Sequence, residues 1–240
     1  LYSRSLPHKK GTALTPLIEE LHAVLKENTG SEREYKRYLD GLKASVLTAF
    51  YTPEPVTDAI MRKLYNAGVV PVYALEPSAG TGAFAEYLRR YNEEAEITCF
   101  EKDPLTGLIL HRLHPDDTVR VQGFETIEPA YEGHFDLITS NIPFGDVSLF
   151  DPAFSSSRDP VRRQGAWAIH NYFFMKSVDL VRDGGLVAFI TSQGMADAER
   201  NRPVREWLME RCDLIAAVRL PNNLFTDHAG TEVGSDLIVL

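Results

Sequence analysis

From Val69 to Leu240, short apolar runs of strand length alternate with longer amphipathic stretches, and this alternation constrains the fold more than any other feature of the chain. Strands separated by helices are joined by crossovers, so they lie parallel and must be covered on both faces. The runs place strands at about 70–76, 95–101, 118–122, 135–140, 185–191, 214–220 and 235–240. Apolar residues at helical spacing place helices at about 55–67, 82–92, 104–113, 167–182 and 202–212. Gly184-Gly185 is read as the stop of the helix at 167–182, ahead of the strand Leu186–Ile190. The expectation is an α/β fold with about seven mostly parallel strands and flanking helices.

Residues 1–48 precede the alternation and read as a helical extension, with Leu17, Leu21, Val24 and Leu25 at helical spacing and Ser31-Glu32-Arg33-Glu34 as a capping box. Residues 49–240 then form the main domain, and 44% hydrophobic content in 240 residues is enough to bury one large core. No run approaches the roughly 18 apolar residues of a membrane span, and no signal-peptide pattern opens the chain, so it is read as soluble and cytoplasmic. Cys99 and Cys212 make neither a disulfide framework nor a metal set, and His111 and His114 lack a third ligand, so no metal is expected. A net charge of -9 argues against a chain that wraps nucleic acid unaided, because Lys and Arg supply most non-specific affinity. Leu1 is not a Met and Ser235–Leu240 reads as a strand that stops, so the sequence is read as a piece of a longer polypeptide.

Leu75-Glu76-Pro77-Ser78-Ala79-Gly80-Thr81-Gly82-Ala83-Phe84 lies between a strand and a helix, where small residues allow a tight turn and close approach to a ligand. Taken alone the turn fits packing, a nicotinamide dinucleotide or another nucleoside ligand. The next strand ends at Phe100-Glu101-Lys102-Asp103, where a carboxylate can accept both hydroxyl hydrogens of a ribose. Pro77-Ser78 ahead of the first glycine, and Ala85 in place of a third, tilt the reading away from a dinucleotide. Glu76 would repel a pyrophosphate and attract an ammonium such as that of a methionine moiety, against the alternative of a solvated loop carboxylate.

Phe135–Ser140 reads as a buried strand running directly into Asn141-Ile142-Pro143-Phe144-Gly145. An exocyclic ring amine is a poor nucleophile because its lone pair is delocalised. The Asn141 side-chain oxygen and the Ile142 carbonyl can accept its two N–H bonds and favour a tetrahedral nitrogen. Pro143 fixes the backbone of the turn, and Phe144 offers a ring for an extruded base. Cytosine C5 chemistry would need a nucleophilic cysteine in such a loop, and neither Cys99 nor Cys212 is so placed.

With these residues in order, the chain resembles the amino-group DNA methyltransferases that modify adenine at N6, a Rossmann-like class I S-adenosylmethionine-dependent fold. The matches run from Ala49-Phe50-Tyr51-Thr52-Pro53 through the glycine turn and Glu101 to Asn141–Phe144. It is most similar to the methylase part of large methylase-helicase fusions of phages and conjugative elements, on Asn141–Gly145, Ile169–Phe174, Asp183–Leu186 and Arg219–Asn222. The resemblance implies S-adenosylmethionine as cofactor, DNA as partner, further helicase or target-recognition domains in the same polypeptide, and a setting of restriction-modification or antirestriction. It sets Tyr51 and Thr52 against the methionine part, Glu101 at the ribose, Phe124 against the cofactor adenine, and Phe225 opposite Phe144 around the target base, with Lys102 among the cofactor-binding residues. Two positions depart from the family pattern. Gly123 stands where a carboxylate usually precedes the aromatic, with Glu125 on the other side, and Ile142 replaces a common proline. Related enzymes that methylate protein glutamine or RNA bases share the Asn-x-Pro-aromatic logic, and an inactive scaffold is the non-enzymatic alternative.

Two stretches break the alternation. The segment 151–165, with Pro152 and Pro160, reads as a disordered or functional loop, and Pro221–Gly234 is similar but carries Phe225. Both follow strand ends and fall on the sheet edge where open α/β sheets bind ligands. After the first, His170, Tyr172, Phe173 and Phe174 open a helix; core packing is favoured for the two phenylalanines, whereas Tyr172 either packs or lines the base pocket. Arg158, Arg162, Arg163, Arg200, Arg202 and Arg205 share that edge, as a basic rim for a phosphate backbone or as solvated loop charge.

Overall fold

The computed structural model describes residues 11–48, 51–145, 147–225 and 234–240. It divides into two compact units, one up to Val46 and one from Leu47 onward. In the first, α1 (Gly11–Asn28) is followed by α2 (Glu32–Thr48). Half of the capping box forms: Ser31 Oγ accepts the Glu34 amide at 3.2 Å, whereas the Glu34 carboxylate reaches one residue further back, to the Gly30 amide at 2.8 Å.

The second unit opens with α3 (Glu54–Asn66) and then alternates as the pattern requires: β1 (Tyr73–Glu76), α4 (Ala83–Tyr91), β2 (Glu96–Phe100), α5 (Pro104–Leu113), β3 (Thr118–Arg120) and β4 (Phe135–Asn141). Two short helices, α6 (Pro152–Ser155) and α7 (Pro160–Gly165), precede α8 (Ile169–Leu180), β5 (Val181–Ser192), α9 (Gly194–Asp197), α10 (Arg202–Met209), β6 (Ala216–Arg219) and β7 (Ser235–Val239). The sheet order is β3-β2-β1-β4-β5-β7-β6, with every pair parallel except those made by β7. Strand order reverses between β1 and β4, which opens a crevice at their carboxyl ends. One core layer packs Phe135, Phe174, Phe189 and Trp207, and the other packs Phe84, Leu88, Ile97 and Ile190.

Three expectations are corrected. The helix at 167–182 stops at Leu180, and Gly184-Gly185 lie inside β5 rather than ending the helix. There the register against β4 jumps from Phe135↔Val181 to Leu137↔Leu186, so the extra residues bulge out. Gly184 takes φ +75, and a Cβ on Gly185 would meet the Val181 side chain at 2.6 Å. The segment 151–165 is not a loop. Asp151 and Asp159 each cap a short helix that begins with proline, accepting the Ala153 amide at 2.7 Å and the Val161 amide at 2.9 Å. That twofold Asp-Pro pattern was the available signal. The helix at 202–212 is shorter than expected and ends at Met209.

No helix among the described residues is long and apolar enough to cross a membrane. Of Pro221–Gly234, residues 226–233 lie outside the described residues, as do Ala49 and Phe50.

Candidate active site

The site forms where β1, β2 and β4 end side by side. After Glu76 the chain turns through Gly80 (φ +56) and Gly82 (φ +89), both left-handed, and Gly82 caps α4. Three hydrogen bonds fix the turn to its neighbours. The Ala79 amide donates to the Phe100 carbonyl at 2.9 Å and the Gly80 amide to Glu101 Oε2 at 2.8 Å, both at the end of β2. On the other side, Ser140 Oγ in β4 donates to the Ser78 carbonyl at 2.9 Å. The residue before Asn141 is thereby tied to the glycine turn.

Packing leaves the turn no spare volume underneath. A Cβ on Gly82 would lie 2.3 Å from His114 Nε2 and 2.8 Å from Leu110 Cδ1. His114 is held in turn by Asp117 at 3.1 Å, and Asp117 also pairs with Arg89. Above the turn, the Tyr51 ring stands 3.3 Å from where a Cβ on Gly80 would sit, and it is 40% exposed. Thr52 is half-buried beside it, ahead of Pro53, which caps α3.

The two strand-end carboxylates have different tasks. Glu76 is 1% exposed, and its oxygens accept the amides of Ala85 at 2.8 Å and Phe84 at 3.4 Å, at the positive end of α4. Burial pushes its carboxyl well above the usual range, against the pull of the Ala85 and Phe84 amides. It is buried and engaged by the first amides of α4, so it is not a solvated loop carboxylate. Glu101 is half-buried, with one amide on each oxygen: Gly80 on Oε2 and Asp103 on Oε1 at 2.7 Å. The Lys102 amide also favours the ionised carboxylate, and the acceptor capacity that remains suits a ribose diol. Burial raises its pKa, with the Asp103 and Gly80 amides opposing.

Lys102 is exposed, with its ammonium 3.6 Å from Glu125 Oε1. Glu125 folds back over Gly123 so closely that a Cβ there would sit 2.2 Å from its Oε2. Its carboxylate therefore occupies the space of the missing side chain at 123. Phe124, set against an adenine by the resemblance, turns its ring into the core at 2% exposure, against Phe173, Phe100 and Tyr172.

At the tip of β4, Asn141 is half-buried and pairs in register with Ile190, and the Ile142 amide donates to the Ile190 carbonyl at 3.1 Å. The Ile142 side chain is buried, Pro143 and Phe144 are half-buried, and Gly145 closes the turn at φ +116. Phe144 meets Phe225 edge to face, ring centroids 6.2 Å apart at 69°. Phe225 is buried, although it lies 81 residues beyond Phe144 and only the sheet order brings the two together.

Tyr172 does not line this pocket, which corrects that alternative. It is fully buried against Phe154, and its hydroxyl donates to Asp151 Oδ2 at 2.7 Å. Phe173 and Phe174 are core residues, as favoured. The basic rim also contracts. Arg162 is clamped by both oxygens of Asp179 over the Phe154 ring, and Arg205 donates to the carbonyls of Met195 and Ala198. Arg202 is exposed but pairs with Glu206 and Glu199, and exposed Arg163 donates to the Ser157 carbonyl at 2.6 Å; Arg158 and Arg200 are also exposed at this edge.

Comparison with known proteins agrees with this geometry. The N-6 DNA Methylase family model matches residues 41–240. The chain is 28% identical over 230 residues to the "Defense against restriction protein B" of Escherichia phage P1, covering 93% of this chain and 9% of that protein. It is 23% identical over 253 residues to the type I restriction enzyme EcoEI methylase subunit of Escherichia coli, covering 93% of this chain and 50% of the subunit. The chain thus spans half or less of the length of these relatives. A solved structure from Listeria monocytogenes, described as a class I S-adenosylmethionine-dependent methyltransferase, superposes with a TM-score of 0.64 at 17% identity, over 89% of this chain and 69% of that one. The fold is that of class I S-adenosylmethionine-dependent methyltransferases, and the chain belongs to the N-6 DNA Methylase family.

Proposed function

We propose that this chain transfers the methyl group of S-adenosylmethionine to the exocyclic N6 amine of adenine in DNA. The observation that carries the reading is the continuous hydrogen-bonded path from Glu101 through Gly80 and the glycine turn to Ser78 and Ser140, which holds Asn141 and Ile142 beside the turn. Bound there, the cofactor supplies a methyl carbon on a sulfonium, whose carbon–sulfur bond breaks as the nitrogen bonds to carbon. Glu101 orients the ribose diol, the backbone of Ser78–Gly82 receives the nucleoside, and Tyr51 with Thr52 covers the methionine end. Glu76 acts through the start of α4 without touching the ligand. Glu125 supplies the carboxylate for the adenine end that Gly123 lacks.

The Asn141 side-chain oxygen and the Ile142 carbonyl accept the two amine hydrogens, so the nitrogen lone pair is drawn out of the ring and faces the methyl. The amine becomes acidic only as the methyl arrives, and one of these acceptors passes the released proton to solvent. Alignment is therefore the main contribution of the chain. Phe144 stacks on the flipped base; because its ring now meets Phe225 edge to face, entry of a base requires the two rings to part. Arg158, Arg163 and Arg200 contact phosphates weakly, and further domains of a longer polypeptide, acting in the cytoplasm in restriction-modification or antirestriction, supply target recognition. Incubation with labelled S-adenosylmethionine and DNA tests the reading, with protein and RNA acceptors in parallel. Label should enter DNA as N6-methyladenine and vanish in Asn141→Ala; transfer that survives this substitution overturns it.

A further inference from the structure

Between the catalytic turn and α8, the segment from Val147 to Trp167 is packed tightly from beneath. Asp151 is buried under the Tyr172 hydroxyl and 3.4 Å from the Lys176 ammonium, Phe154 is fully buried, and Asp159 accepts the Trp207 indole N–H at 2.7 Å. Its outer side is the reverse. Phe150 is 74% exposed and Trp167 68%, more than any other large apolar side chain described. The Leu149 amide donates to the Ala166 carbonyl at 2.9 Å, so the two aromatics, each the next residue after a partner of that bond, project from adjoining backbone. An anchored platform that shows two large rings to solvent forgoes apolar burial, which an occupant would recover.

We propose that Phe150 and Trp167 form a stacking face, at the rim of the site, for the bases of a DNA duplex that are left unstacked when the target base is flipped, an assignment that rests on the DNA reading above. Two observations favour DNA as the occupant. The face lies near the catalytic turn along the chain: five residues lie between Phe144 and Phe150, so their Cα atoms are at most about 20 Å apart. The same segment carries exposed Arg158 and Arg163; among the described residues neither is paired with a carboxylate, and Arg163 donates only to the Ser157 carbonyl, at 2.6 Å. The segment's own carboxylates, Asp151 and Asp159, are already engaged. Flipping a base leaves unstacked neighbours, and aromatic rings stack on any base irrespective of sequence.

The test measures duplex DNA affinity of the chain over a range of salt concentrations. Phe150→Ala and Trp167→Ala should each weaken binding about 5- to 100-fold, the range for loss of a base–aromatic stack, without altering the salt slope. Arg163→Ala should lower that slope by about one. Trp167→Phe, which keeps a ring, should retain most of the affinity, and the exposure of both residues leaves the melting temperature unchanged. In parallel, DNA should shield Trp167 from acrylamide quenching, with Trp207, at 6% exposure, as the protected reference. Unchanged affinity in both alanine variants, an altered salt slope, or no DNA binding by the wild type overturns the proposal. So does self-association without DNA that the same variants abolish, which would make a second copy the occupant. A wild type that binds with this signature yet transfers no methyl group refutes the methyltransferase reading and leaves the stacking face standing.

Discussion

Ser140→Ala tests whether the catalytic strand and the cofactor turn are held as one unit. The Ser140 side chain is fully buried, and its hydroxyl donates at 2.9 Å to the Ser78 carbonyl across 62 residues of sequence. Alanine keeps the strand and removes only that donor. Because Ser78 is half-buried, water can reach its carbonyl, so the stability cost should be about 1 kcal/mol rather than the larger penalty of a fully orphaned acceptor. In a domain of this size that lowers Tm by about 2–4 °C. The Ala79 and Gly80 amides still hold the turn to β2, so affinity for S-adenosylmethionine should change by less than about tenfold, which is 1.4 kcal/mol. Catalysis is less tolerant, since a displacement of about 1 Å between amine and methyl costs on the order of 100-fold, and kcat should fall about 10- to 100-fold. Thermal unfolding, calorimetric titration with the cofactor and single-turnover methylation separate the three quantities. A variant with the lowered Tm but kcat within about twofold of wild type, a barrier change below about 0.5 kcal/mol, would show that the link is structural only and refute the alignment argument.

Glu101→Gln should weaken cofactor affinity about 10- to 100-fold, the range for hydrogen bonds to a charged acceptor. Because burial raises the Glu101 pKa and the ribose requires the ionised acceptor, wild-type affinity should be full above that pKa and decline as pH falls through it, whereas the glutamine variant should titrate flat in calorimetry. Gly82→Ala forces a side chain into φ +89 and towards His114 Nε2, so it should lose about 1–3 kcal/mol from the backbone alone and abolish cofactor binding; an alanine variant with wild-type Tm would refute this. Tyr172→Phe should destabilise the fold by about 1–3 kcal/mol while leaving kcat nearly unchanged, the opposite of what a base-pocket residue would do. Burial pushes Asp151 up, but the Tyr172 hydroxyl and Lys176 hold it below the ordinary carboxylate range. Its stabilising contribution is therefore present above the unfolded pKa and lost as pH falls through the folded value, and acid unfolding of Tyr172→Phe should show a smaller loss over that window.

The strands and long helices were legible because burial on both faces demands apolar runs that local sequence must supply. The turn at Gly80 and Gly82 was legible for a similar reason, since left-handed backbone demands glycine. Side-chain destinations were not. Tyr172 and Phe225 are both aromatic and both border polar segments, yet Tyr172 lies against Phe154 and Asp151 while Phe225 meets Phe144. The difference lies in α8 facing the core beneath the 147–167 segment and in β6 returning parallel to β5, both facts of topology. Arg162 and Arg205 read as surface charge because nothing in their local sequence names Asp179 or the Met195 carbonyl as partners.

The carboxylates at the tips of β1 and β2 show the same limit from the opposite side. Both end a buried strand just before a turn, and a charge argument from sequence offers either one to a cationic or hydroxylated ligand. After the six-residue turn that follows Glu76, α4 begins at Ala83 with no side-chain cap of its own, and its first amides meet the carboxylate. After Glu101 the chain enters α5 from Asp103, which caps that helix itself by accepting the Thr106 amide at 2.8 Å. Glu101 is thus released from helix capping and shared with the Gly80 amide across the crevice. Capping is decided by which carboxylate reaches the orphan amides first. Glu101, whose own helix already has a cap, therefore keeps acceptor capacity on the crevice side, whereas that of Glu76 is taken up by the start of α4.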